Sequence, residues 1–398
     1  MSNAVVMVDL TCRTPQYDRR LVEALHQAGV EAEMWAAGCH SDALYDSSVN
    51  VTPGALDVAA RLSCRNEQIT KGLKAAEYLI NLVVLLWRVA RDPVGIVHFQ
   101  WLPLLEVMTA ELKVVDLIQK QGTAVVYTVH NVLPHDSRGG GPERRRFERV
   151  YRKVNALVCH TKTSQRRLVE EFGIAPSKIW HIPHGPLQPV RGSSEESVKV
   201  EDVIDSDLTS PLVVLFGLLR PYKGYDFLLR AWPQVKQRVD TAQLAIVGRA
   251  NESVQQTIET LVADLGVDAS VSRLYRYVSE EELHSVIQAA DVLVYPYRNI
   301  TQSGALFTGM NAGKAIVATN VGGFRETLRD KETGRIVEFG NQDQLATALE
   351  DLLTDPSRRA KLGEAVRRDL QTRFSWEEIA QQTRECYRSV LASEPDCA

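Results

Sequence analysis

Short apolar runs rich in valine and isoleucine recur along this chain, alternating with longer stretches whose apolar residues return every three or four positions. In the first half the order is "AVVMVDL", a helical "DRRLVEALHQAG", then "GIVHFQW", "AVVYTVHNV", "ALVCHTKTS" and "IWHIPHG". Nearly continuous apolar runs separated by amphipathic segments predict a parallel sheet covered on both faces. After His184-Gly185-Pro186, the stretch "LQPVRGSSEESVKVEDVIDSDLTS" loses periodicity and reads as a linker or surface loop. A second alternation follows: "PLVVLFGLL", "LLRAWPQVKQRV", "AQLAIVG", "VQQTIETLVADLG", "EELHSVIQAA", "DVLVYPY", "AIVAT" and "GRIVEF", with a helical tail from about Leu345. The expected fold class is α/β, with two doubly wound, Rossmann-like domains facing one another across a cleft. Ligands of such open sheets bind at the carboxyl ends of the strands, so chemistry is sought in post-strand loops.

Length agrees with two domains, since 398 residues exceed what one hydrophobic core usually serves. A hydrophobic fraction of 44% and a charged fraction of 24% are those of a folded protein. The formal net charge of -4 provides no global basic field, and no nucleic-acid partner is expected. Cys12, Cys39, Cys64, Cys159, Cys386 and Cys397 are scattered without a CxxC pair, which fits reduced thiols better than a disulfide frame or a zinc site. The start "MSNAVVMVDL" lacks the pattern of a signal peptide, and "YLINLVVLLW" is about half the roughly 20 residues of a spanning helix. A cytoplasmic protein is expected, with a peripheral position at the inner face of the membrane as a variant of that expectation.

Four loops carry the candidate chemistry: "TVHNVLPHD" (128–136), "FGLLRPYKG" (216–224), "RYVSEEEL" (276–283) and "ITQSGALFTGMNAGKAIVATNVGG" (300–323). In the second, Arg220 and Lys223 could neutralise a diphosphate, with Gly217 and Gly224 allowing tight backbone paths; a solvated turn before a helix at Tyr225 is the alternative. In the last, a helix opening at "QSG" would offer free N–H groups and a positive dipole end to an anion, with Ser303 as cap and Gly304 admitting a phosphate to the backbone. A plain helix start with small residues for packing is the alternative there.

The run "FGLLRPYKGYDFLLRAW", "LAIVG", "YVSEEELHSVIQAADVLVYPY", "SGALFTGMNAGKAIVATNVGGFRE" and "TGRIVE" resembles, in that order, the family 4 glycosyltransferases of the GT-B fold. The resemblance covers roughly residues 210–390; in the first half it rests on architecture and on "TVHN" and "PHG". It implies an acceptor-side domain over 1–187, a linker over 188–210, a nucleotide-sugar domain over 211–375, and a last helix within 376–398 that crosses back to the first domain. It further implies that Arg220 and Lys223 hold the donor diphosphate, that Gly217, Gln302, Ser303 and Gly304 surround it, and that Tyr277 and Val278 face the base. The family's paired glutamates fall, aligned on Gly313, at Ile300 and Thr308; both carboxylates are absent, and Thr308 inherits the contact to the ribose. Some bacterial exopolysaccharide transferases look similar in this loop, and that likeness extends to inverting β-mannosyltransferases, which leaves the stereochemistry open.

By the same resemblance His130 lies beside the donor sugar. His135 and Asp136 follow closely, and either could take the acceptor's proton in an inverting reaction; each could equally be a loop residue bonded to backbone. His98, His160 and His184 are weaker candidates. A basic amphipathic region at 61–92, with Arg61, Arg65, Lys71 and Lys74, and a second basic cluster at 143–153 suit either anionic lipid or a core helix beside a solvated one. The expected activity is metal-independent transfer of a sugar from a nucleotide sugar to a glycan or polyprenol-linked acceptor, probed against two alternatives: an inactive partner that supports another transferase, and a nucleotide-sugar epimerase. No cofactor is expected beyond the donor itself.

Overall fold

A computed structural model of the protein describes residues 4–36, 51–53, 67–134, 141–186, 198–205 and 209–392. The chain divides into two compact units, Met1–Gly185 with Ser375–Ala398, and Pro186–Phe374.

The first unit is built on seven parallel strands: β1 (Val5–Asp9), β2 (Ala32–Ala36), β3 (Val51–Pro53), β4 (Ile96–Phe99), β5 (Ala124–Val129), β6 (Ala156–Cys159) and β7 (Ile179–His181), in the order β3-β2-β1-β4-β5-β6-β7. β1 is buried along its whole length, and Val8 sits opposite Trp35 on one side and Phe99 on the other. A strand flanked on both edges and both faces favours apolar side chains, which is why Val5–Val8 read as an unbroken apolar run before Asp9 at the strand's end. The order reverses direction between β1 and β4, and there the loops after the two strands part.

The second unit repeats the plan with β8 (Leu212–Phe216), β9 (Gln243–Val247), β10 (Val271–Leu274), β11 (Val292–Tyr295), β12 (Ala315–Thr319) and β13 (Arg335–Val337), in the order β10-β9-β8-β11-β12-β13. Its reversal lies between β8 and β11. Several of its helices begin at polar caps that take up orphan amides: Asn251 accepts from Val254 N, Asn341 from Gln344 N, and Ser279 forms a reciprocal box with Glu282. Part of the stretch read as a linker belongs to this core, for Val203 and Ile204 are buried beside a short turn at Val200–Asp202. Aperiodic sequence concealed two apolar anchors.

The helix Trp376–Ala392 packs in the first unit against the helix Pro15–Gln27. Tyr387 Oη lies 2.7 Å from His98 Nδ1, and His98 Nε2 lies 2.8 Å from Thr128 Oγ1. With both nitrogens engaged and burial pushing its pKa down to about 3, His98 is a neutral strut between sheet and helix. Arg384 donates to the Ala28 carbonyl at 2.8 Å. Trp376 covers Gly185 so closely that a Cβ there would stand 2.5 Å from the indole. The glycine of "PHG" thus makes room for the returning helix. Gly185→Ala is expected to lower stability by about 1–3 kcal/mol through overpacking, measured by urea unfolding. Adding Trp376→Leu should recover part of the loss, as a coupled pair requires.

Candidate functional site

In the second unit, the loops after β8 and β11 define a small cationic site. Past β8 the chain makes a short turn at Pro221–Lys223 and enters the helix Tyr225–Arg238 through Gly224, whose left-handed φ of 68° and close approach to the Pro296 carbonyl exclude a side chain. This turn folds Lys223 inward while Arg220 stays exposed. Lys223 Nζ donates to Tyr297 Oη at 2.5 Å and stands 4.6 Å from the centre of that ring. Only 5% of the lysine is exposed. Among the described residues, neither Lys223 nor Arg220 forms an ion pair. Burial pushes Lys223 down to about 8. Its charge is met by dipoles and a π face, an arrangement that favours an arriving anion.

The helix Gly304–Ala312 begins near this cation, since the Ser303 side chain lies close enough to the Tyr297 phenol that holds Lys223 to favour its ionised form. Ser303 caps the helix by accepting from Leu306 N at 3.3 Å. The N–H groups of Gly304 and Ala305 precede the first hydrogen-bonded turn, where a helix presents amides and positive potential to an anion. Gln302 Oε1 accepts from Ser303 N at 3.1 Å. The Thr308 hydroxyl is turned into its own helix, donating to the Gly304 carbonyl at 3.1 Å, which leaves only lone pairs to offer. Ile300 is buried in the apolar core, where a carboxylate would be costly. Gly217 adjoins the lysine: a Cβ there would lie 3.1 Å from Nζ. Tyr277 is 75% exposed and Val278 half-buried, on a loop held by the paired Arg276 and Glu282 and the Ser279 cap.

Within the first unit, His130 follows β5 directly and is half-buried. Its ring stacks on Trp101 with centroids 4.6 Å apart and planes 9° apart, and Tyr17 meets it edge-on at 5.6 Å. His160 and His184 complete an aromatic group around Tyr17. Burial, and then the neighbouring histidines, hold His130 well below the usual imidazole range; burial brings His160 to about 4 and His184 to about 3. Imidazoles packed in this way are neutral. His135 and Asp136 lie outside the described residues, as do Arg61 and Arg65, and so does the side chain of Lys71.

Residues not anticipated from the sequence organise the first unit's switch point. Asp9, at the end of β1, accepts from Thr11 N and Oγ1 at 3.1 and 3.0 Å, from Arg13 N at 2.7 Å and from Thr14 N at 3.3 Å, tying the following loop into a fixed turn. Burial, then the nearby Asp9 carboxylate, pushes Asp18 well above its usual range. Arg13 lies over Trp101, whose Nε1 donates to Thr14 Oγ1 at 3.1 Å. The loops after β1 and β4 were the place to look, because the strand order turns there. In the second unit Tyr297 went unnoticed because it reads as one more apolar residue of "DVLVYPY".

Solved structures share this architecture. Sucrose-phosphate synthase from Thermosynechococcus elongatus superposes with a TM-score of 0.74 at 18% identity, covering 99% of this chain and all of its own. HepE from Anabaena, solved in complex with UDP, gives 0.70 at 15% identity, covering 98% of this chain and all of its own. The fold is that of the GT-B glycosyltransferases. Residues 16–185 match the family model described as Glycosyltransferase Family 4, and residues 199–369 the model described as Glycosyl transferases group 1. The chain belongs to the family 4-like glycosyltransferases of the GT-B fold. It is 29% identical over 286 residues to the D-inositol 3-phosphate glycosyltransferase of Corynebacterium aurimucosum, a match over 69% of this chain and 66% of the relative. To the GDP-mannose-dependent alpha-(1-6)-phosphatidylinositol monomannoside mannosyltransferase of Mycolicibacterium smegmatis it is 30% identical over 247 residues, 58% of this chain and 62% of the relative. These matches span just under two thirds of the relatives' own length.

The lowered pKa of Lys223 gives any anion binding at this site an expected pH dependence with a defined sign. The charged ammonium attracts a diphosphate and is lost as pH rises through about 8. Affinity for a nucleotide sugar should therefore be flat from pH 6 to 7 and fall above 8, by at most about tenfold per pH unit for a single proton. Calorimetry on the wild type and on Lys223→Met checks this: the variant should bind weakly, without that dependence.

Proposed function

We propose that this protein transfers a sugar from a nucleoside-diphosphate donor to a glycan or lipid-linked acceptor, in the synthesis of cell-surface glycan or exopolysaccharide at the cytoplasmic face of a membrane. The observation that carries this reading is the buried Lys223 ammonium, without a carboxylate partner among the described residues, beside the Ser303-capped helix start. Negative charge builds on the diphosphate as the sugar–phosphate bond breaks. Lys223 and the Gly304 and Ala305 amides would meet it from fixed positions, with the exposed Arg220 folding onto the same group, which is where binding energy accelerates a reaction. Gln302 and Ser303 shape the loop, Thr308 offers lone pairs to the ribose, and Tyr277 with Val278 borders the base. His130 meets a hydroxyl of the reacting sugar, and Asp136 is the proposed acceptor of the incoming hydroxyl's proton if the reaction inverts. Among the described residues no group of three or more histidine, cysteine, aspartate or glutamate side chains is arranged for a metal, and the reading assigns the charge stabilisation to cations and amides. The mannosyl- and inositol-phosphate-directed names of the relatives support a nucleotide-sugar donor and a polar or lipid-linked acceptor.

A membrane contact is part of the proposal, supported by the helix Glu67–Arg91. Ile80, Val83 and Trp87 are 45%, 64% and 60% exposed and share one face, while Lys74 and Arg91 are exposed on the same helix. The Arg91 guanidinium lies 5.4 Å from the Trp87 ring. An aromatic and two aliphatic side chains flanked by cations suit the interfacial region of an anionic bilayer. No helix among the described residues is long and apolar enough to cross a membrane. Cys12, Cys159 and Cys386 are buried and enter no disulfide, in keeping with a reducing compartment.

Screening the full chain against nucleotide sugars should reveal one that raises the melting temperature and is turned over with release of its nucleoside diphosphate. Arg220→Ala combined with Lys223→Ala should lower turnover by at least about a hundredfold while the protein stays folded. Binding without turnover for every donor and acceptor tried would favour the inactive partner; wild-type turnover in the double variant would end the diphosphate assignment. Flotation with phosphatidylglycerol vesicles should retain the wild type and lose Val83→Asp with Trp87→Asp. A wild type that stays in the soluble fraction at low salt contradicts the membrane contact.

A further inference from the structure

We infer that His160 is a positioning residue, which holds His130 as the neutral Nδ1–H tautomer and leaves the Nε2 lone pair of His130 as the group presented to a ligand hydroxyl. The argument runs along a chain of hydrogen bonds whose direction is set at one end. The Ile182 carbonyl can only accept, and His160 Nδ1 lies 3.0 Å from it, so this nitrogen carries the proton. The other nitrogen of a neutral His160 is then a lone pair. His160 Nε2 lies 3.3 Å from His130 Nδ1, which therefore donates, and His130 Nε2 is left as an acceptor. On its far side, Nε2 lies 3.2 Å from the Gln100 amide, whose oxygen is the end placed against it and whose nitrogen has no partner.

Gln100 closes the chain. An amide facing a lone pair must turn its NH2 group toward it, and the two ends of an amide are interchanged by a simple rotation. Gln100 is fully buried, and one end of its amide has no hydrogen-bond partner, so nothing opposes that choice. The opposite tautomer of His130 would set two lone pairs against each other at His160. The doubly protonated form is disfavoured by burial and by three neighbouring histidines, His160, His184 and His98. Trp101, stacked on the ring, removes the remaining rotational freedom. The arrangement follows from the sheet: Val129 pairs with Cys159 and Cys159 with His181, so the residues immediately beyond β5, β6 and β7 are brought side by side.

What His130 Nε2 meets rests on the glycosyltransferase reading: a sugar hydroxyl that displaces the Gln100 amide donates to the same lone pair. The tautomer itself does not rest on that reading. Long-range proton–nitrogen correlation on the full chain labelled at histidine nitrogen, with His130 assigned by His130→Gln, should show Nδ1 protonated and Nε2 unprotonated near neutral pH. In His160→Phe the His130 signal should leave that pattern. In His160→Gln, whose carbonyl oxygen can replace the lost acceptor, the pattern should persist. Turnover of the best donor should fall about tenfold or more in His160→Phe, with KM little changed, and recover in His160→Gln. An Nε2–H or doubly protonated His130 in the wild type overturns the inference, as does an unchanged tautomer in His160→Phe. A wild type with the inferred tautomer but no transfer activity would refute the function and leave the positioning role standing.

Discussion

The constraint on which everything else depends is the reversal of strand order in an all-parallel sheet. In each unit the chain winds outward from one central strand, returns, and winds the other way, so the loops after β1 and β4, and after β8 and β11, diverge. Their backbone groups are the ones a parallel sheet cannot satisfy internally, and they become available to side chains, helix starts and ligands. In the first unit the Asp9 carboxylate occupies this place and orders the Thr11–Thr14 turn. In the second unit a cation occupies it. Similar topologies thus carry opposite charge at corresponding positions.

Lys223 is the sharpest consequence. Its ammonium is withdrawn from water onto the phenol of Tyr297, close to the Ser303 side chain that caps the helix. A buried cation is destabilising unless something answers its charge. Within the protein the answer is a hydroxyl and a ring face, which hold the group in position without neutralising it. The absence of carboxylates at Ile300 and Thr308 has a physical counterpart: Ile300 is core, and Thr308 spends its proton on the backbone of its own helix. Such an arrangement offers more to the charge of an anion than to neutral hydroxyls.

Much of the fold was legible because strands buried on both faces must be apolar throughout, as Val5–Val8 and Leu212–Phe216 are. β2 was harder to see, since Glu33 interrupts its apolar run, there to meet Arg88 from the helix Glu67–Arg91. In the site, Arg220, Lys223, Ser303 and Gly304 stood out as polar or glycine positions just beyond apolar runs. Tyr297 did not, because a tyrosine at a strand end looks like core until its hydroxyl's partner is known. The His130–His160–Ile182 chain was invisible for the same reason. Its members are some 20 to 30 residues apart in sequence and meet only through the register of β5, β6 and β7.

The proposed diphosphate site lies at the start of the helix Gly304–Ala312 against Lys223, and a crystal structure with UDP or GDP bound decides it. A β-phosphate is expected within hydrogen-bonding distance of Lys223 Nζ and of the Gly304 or Ala305 amide, with Arg220 folded onto the same group. A nucleotide bound elsewhere, or phosphates that leave Lys223 on Tyr297 untouched, would refute that site.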